Sequence, residues 1–232
     1  RINEGLNEIG LTVKDLDAIL VTHEHIDHIA SVGVLERTAA VPLYATAGTM
    51  AGINATKSCG EFDRSVFRKV TADQEFDIGD IHIRPLTVWH DANEPVCFRF
   101  ESGGKSLAVV TDLGDYDNYL VDNLQGLDGV LIEANHDEHM LEVGPYPYPV
   151  KQRILGRYGH LSNERSGQLL SELLHDRMKY IMLGHISREN NTRDLARLTV
   201  ETEIEAADNI YRGSDFDIMV ARRHHTSLMA EI

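Results

Sequence analysis

Apolar residues along this chain come in short runs, separated by stretches where they recur at helical spacing. That alternation predicts strands and helices in turn, an α/β fold. Ile2, Leu6 and Ile9 predict a helix ending near Gly10. Residues 18–22 form a continuous apolar run, expected as a strand buried on both faces. A helix is expected over 28–39, a strand over 41–45, a helix over 46–55 and a strand over 81–88. Residues 96–101 and 106–111 read as a hairpin around Ser102-Gly103-Gly104-Lys105, a two-glycine turn. Further strands are expected over 129–133, 180–183, 216–221 and 225–229. Helices are expected over 162–175, with Ser162 as N-cap, and over 192–207. The prolines at 145, 147 and 149 read as a rigid loop. With no repeat or linker, one domain over 1–232 is the economical organisation.

Composition changes this picture little. Of 232 residues, 42% are apolar and 25% charged, as in ordinary globular proteins. No apolar run approaches the roughly 18 residues needed to span a membrane, and no signal peptide is visible, so a cytoplasmic protein is expected. Cys59 and Cys97 have no metal-ligand or disulfide spacing and read as buried thiols. A formal charge of −15 argues against sequence-independent nucleic-acid binding over the whole surface. It leaves room for a local site, because two divalent ions would add positive charge where carboxylates gather.

The stretch His23-Glu24-His25-Ile26-Asp27-His28 puts four metal-competent side chains within six residues, directly after an apolar run. His23, His90, Asp112 and His185 each fall just past an apolar strand, where sites gather in layered α/β folds. His23, His25 and His90 can hold one ion. Asp27, His28 and His185 can hold a second, and Asp112 can bridge the two. Such ions would share a water of pKa near 7, oriented by Asp27 and the bridging carboxylate.

These residues resemble the metallo-β-lactamase fold superfamily over nearly the whole chain. Within it the nearest group looks like the YycJ/WalJ (VicX)-type metallo-hydrolases, on the stretches Glu133-Ala-Asn-His-Asp and Gly159-His-Leu-Ser-Asn. The resemblance implies a four-layer αβ/βα sandwich with a dinuclear site at one edge, holding Zn or Mn. Superfamily members begin with two strands and an aspartate that supports the motif loop. Arg1 falls after that segment, so the chain is expected to lack them.

The resemblance also points to a reaction. His25 stands where related diiron oxidoreductases carry an acidic residue, which disfavours redox chemistry. Glu133 and His160 resemble the proton-donor pair of tRNase Z. Lys151, Arg153, Arg157 and Arg165 flank His160 as a basic patch that could position phosphates. His136, Arg157 and Asn163 are candidate substrate contacts. The implied activity is cleavage of phosphodiesters, as a 5′→3′ exonuclease on DNA. A thioester or lactam hydrolase and a non-catalytic metal-binding regulator are the alternatives. His82, His139, His175, His224 and His225 are expected at the surface.

Overall fold

The computed structural model describes residues 2–227 and 229–231. It resolves into two compact units, one of residues 2–87, 92–96 and 222–227, the other of 88–91, 97–221 and 229–231.

In the first unit, α1 (Ile2–Glu8) stops before Gly10, whose φ of 76° suits glycine. Strand β1 (Ile19–Leu20) is shorter than the run 18–22 predicts, and only half-buried. Val21 N still bonds Tyr44 O, but Thr22 O turns away to accept from Val96 N, which ends the ladder. The helix expected over 28–39 is two helices, α2 (Ile26–Ile29) and α3 (Val32–Ala39), with Ser31 as the N-cap of the second. α3 lies so close to the 57–59 turn that a Cβ on Gly33 would collide with the Cys59 carbonyl.

Strand β2 (Leu43–Ala45) leads into α4 (Ala47–Ala55), whose N-cap Thr46 accepts from Thr49 N. β3 (Phe67–Lys69) completes a parallel sheet in the order β1-β2-β3. Val21, Ile29, Val32, Leu43, Ile53, Cys59 and Val66 form the core beneath it. β4 (Phe76–Ile78) and β5 (Ile81–Thr87) pair antiparallel. His82 on β5 is partly exposed and paired with Asp77 at 2.7 Å.

The second unit is built on β6 (Val96–Ser102), β7 (Lys105–Val110), β8 (Gly129–Glu133), β9 (Tyr180–Gly184) and β10 (Ile218–Val220), in the order β10-β9-β8-β7-β6. β6 and β7 form the expected hairpin. Gly103 and Gly104 take φ of 57° and 75°, the double positive turn that glycine permits. β7, β8, β9 and β10 are parallel. Val110 pairs with Ile132, and Ile132 with Leu183, so three strands finish level at one edge.

Between the strands lie α5 (Asn118–Asn123), α6 (Glu138–Val143), α7 (Tyr148–Leu155), α8 (Asn163–Leu173) and α9 (Arg193–Ala206). The proline cluster is a helix start as well as a loop. Pro147 is the N-cap of α7 and Pro149 sits in its first turn, where no amide donor is needed. Ser162 caps α8 as expected, accepting from Arg165 N. α8 meets α9 at Gly167, where a Cβ would press on Val200 O and Glu203. Of the late strand expected over 225–229, residues 225–227 and 229 form none, and Leu228 lies outside the described residues. Among the described residues no helix is long and apolar enough to cross a membrane.

Both cysteines are buried. Burial pushes the Cys97 thiol up to about 12 and raises that of Cys59, so both stay protonated at neutral pH. Neither is expected to react with a disulfide reagent at pH 8 until denaturant is added, when both should. Fast labelling of native protein would contradict this packing.

Candidate metal centre

In the first unit the motif loop follows β1. The His23 ring centroid lies 4.7 Å from that of His25 and 4.1 Å from that of His28. Thr22 Oγ1 lies 3.0 Å from His23 Nδ1 and 3.4 Å from His28 Nδ1, so one hydroxyl helps orient two rings. His25 is the N-cap of α2 and Asp27 stands exposed in its first turn, 3.7 Å from His28 Nε2. Glu24 turns away from its neighbours. Its Oε1 accepts from Asn93 N at 2.8 Å, and it packs where α4 has no side chain, at Gly52.

In the second unit, Asp112, Glu133, His160 and His185 each bring one ligand atom within 4.8 Å of the others. The level strand ends supply three of them, and the register places them there. Asp112 and His185 both adopt left-handed backbone, with φ of 61° and 52°. Asp and His tolerate that region better than most residues, at a cost of about 1–3 kcal/mol each. The fourth arrives by a loop. Asn135 N bonds Leu161 O and Asn163 N bonds His136 O, which draws residues 160–163 alongside the end of β8.

Glu133 is 0% exposed and sits at the centre. Its Oε1 accepts from His160 Nδ1 at 2.8 Å and from His185 Nδ1 at 2.6 Å, and its Oε2 from Leu113 N at 3.1 Å. Burial pushes the carboxyl up, but the bonds and charges of the two histidines outweigh it and hold the group well below the usual carboxylate range. Because Nδ1 donates in both rings, it is His185 Nε2 that faces Asp112, 3.4 Å from its Oδ1. His90 is arranged the same way. Its Nδ1 donates to Gly159 O at 2.9 Å, and its Nε2 lies 3.9 Å from Asp112 Oδ1. Burial outweighs the attraction of Asp112 and Asp91 and lowers the His90 pKa, which keeps the ring neutral. Imidazoles with a fixed tautomer beside a buried carboxylate are the kind of donor set a divalent ion takes.

The remaining expected residues are placed differently. Asn163, expected at the substrate, is 0% exposed, and its amide is paired with that of Asn191 at 2.8 and 3.1 Å. It fastens the start of α8 to the loop before α9 and offers no face to a ligand. His136, also expected at the substrate, is 1% exposed, and burial lowers it to about 4. The basic patch is largely engaged within the protein, two of its four cations by carboxylates. Arg153 is held by both oxygens of Asp91 at 2.5 and 2.9 Å, Arg165 by Asp115 at 2.5 Å, and Lys151 by the Glu142 carbonyl at 2.6 Å. Arg157 instead lies over the Trp89 ring, 3.4 Å from its centroid. Sequence reading missed that Glu133 also bonds His185. It missed Asn135 as well, whose Nδ2 donates to His185 O at 3.0 Å.

A left-handed aspartate and a histidine pinned by a buried carboxylate, at the ends of parallel strands, form a cluster that could hold a divalent ion. The chain belongs to the metallo-β-lactamase superfamily: the Beta-lactamase superfamily domain matches residues 6–186. Exodeoxyribonuclease WalJ of Streptococcus pneumoniae is 40% identical over 218 residues, 94% of this chain and 81% of that protein. Exodeoxyribonuclease YycJ of Bacillus anthracis is 35% identical over 203 residues, 84% of this chain and 73% of that one. Among solved structures, the metallo-β-lactamase fold protein YhfI from Bacillus subtilis matches with a TM-score of 0.67 at 17% identity, covering 93% of this chain and 78% of that one, a likeness of fold.

The 114 loop lies against the 156–159 loop so tightly that a Cβ on Gly114 would collide with Gly156 O and Gly159 N. Gly114→Ala is therefore expected to cost about 1–3 kcal/mol, measured by thermal unfolding. A variant as stable as the parent would show that the two loops need not touch.

Proposed function

We propose that the protein is a dinuclear-metal phosphodiesterase, a nuclease acting 5′→3′ on DNA, working as one hydrolase domain over 1–232. The proposed ligands of two ions, Zn or Mn, are His23, His25, Asp27, His28, His90, Asp112 and His185. When bound, the ions supply Lewis acidity and a water activated near neutral pH. Asp27 and Asp112 offset charge and orient that water.

The observation that carries the reading is the Glu133–His160 pair. Thiolates and other good leaving groups depart without a proton, whereas the alkoxide of a phosphodiester needs one. Glu133 holds His160 by Nδ1 at 2.8 Å, so a proton on Nε2 is the one able to pass to the leaving oxygen. The names of the two relatives, both exodeoxyribonucleases, agree with this chemistry.

With Zn or Mn the protein is expected to cleave labelled DNA and bis-p-nitrophenyl phosphate. His160→Ala should lower oligonucleotide turnover by about 10²–10⁴ and leave any thioester turnover nearly intact. Metal-loaded protein that leaves every phosphodiester untouched would refute the reading. Oligonucleotides blocked at the 5′ or 3′ end test the polarity.

Glu133→Gln removes the charge that two histidines share. Metal affinity is expected to fall by about 10–100-fold, measured by chelator competition, with helix content unchanged by circular dichroism. Unaltered affinity would show that Glu133 does not orient the ligands.

A further inference from the structure

Four cations flank His160, and three are already engaged by Asp91, Asp115 and the Glu142 carbonyl. Arg157 is the exception. No hydrogen bond or ion pair joins its guanidinium to any described residue, although the side chain is exposed in a protein of net charge −15. It is nonetheless fixed, flat on Trp89 at 3.4 Å. A stacked guanidinium keeps all five N–H donors in its edge, pre-organised for the oxygens of a phosphate. The next residue, Tyr158, is 56% exposed, and its side chain has no partner among the described residues. Its backbone is anchored, since Tyr158 O accepts from Asp91 N at 3.1 Å. Gly159 O then holds His90, and His160 follows. A fixed cation, an exposed aromatic ring and the proton donor thus lie within four consecutive residues.

We propose that Arg157, stacked on Trp89, and Tyr158 form a station for single-stranded DNA, with the guanidinium on a backbone phosphate and the Tyr158 ring against a base. The proposal rests on the phosphodiesterase reading and names its substrate as a strand with unpaired bases. A duplex buries its base faces, whereas a single strand offers them for stacking.

The chain has one tryptophan, so the station reports on itself. Titrating dT8 into metal-loaded His160→Ala protein, whose turnover is slow, should change Trp89 emission. Adding Arg157→Ala should weaken that binding at least tenfold and reduce the slope of log K against log salt by about 0.7. Adding Tyr158→Ala should weaken it about fivefold or more, and Tyr158→Phe, which keeps the ring, should not.

In the otherwise native enzyme, either alanine variant should lower the ratio of kcat/KM for dT8 to that for bis-p-nitrophenyl phosphate at least fivefold. An unchanged ratio, or equal loss on both substrates, overturns the proposal. So does dT8 binding that ignores both substitutions. If the parent protein hydrolyses neither substrate, the phosphodiesterase reading fails, while the Trp89 titration still decides whether the station binds DNA.

Discussion

One carboxylate sets the order of the second unit. Glu133 has no contact with water, yet it keeps its charge because two imidazoles and a backbone amide point at it. Removing one partner from such a buried ionic group costs about 3–5 kcal/mol. The arrangement therefore has few alternatives. Glu133 fixes the tautomer of both rings, and the rings fix the two loops that carry them. The strain at Asp112 and His185 is sustained by the same parts, since both residues are pinned between a parallel ladder and this network.

Charge elsewhere follows a similar economy. An acidic chain that handled a polyanion over its whole surface would repel it, and here the positive groups near His160 are mostly spent on structure. Arg153 and Arg165 tie loops together through Asp91 and Asp115. What remains for a ligand is local and directional. Affinity would come from a few well-aimed donors and not from a long-range field.

Much of the second unit could be read from the chain because its signals are local. Two adjacent glycines announced the β6–β7 turn, and Ser162 announced α8. Asp112 and His185 stood immediately past apolar runs, and the parallel register then made them neighbours. Pairings between distant segments were less legible. Nothing near Arg153 names Asp91, 62 residues away, so a paired cation read as an open one. Glu133 was read with His160 alone, because its bond to His185 depends on which strand lies beside β8. The closeness of α3 to the 57–59 turn at Gly33 was hidden for the same reason. Asn163 carried the composition of a ligand contact but spends its amide on Asn191.

The left-handed backbone at Asp112 and His185 also bears on how this site can evolve. Only glycine, asparagine, aspartate and histidine occupy such a conformation with ease. Three of those four carry a donor atom. Substitutions that leave the fold undisturbed at these positions thus tend to exchange one ligand chemistry for another, nitrogen for oxygen or charged for neutral. With Asp112 and His185 as the proposed ligands, such a lineage would change its metal preference before it lost the capacity to bind metal.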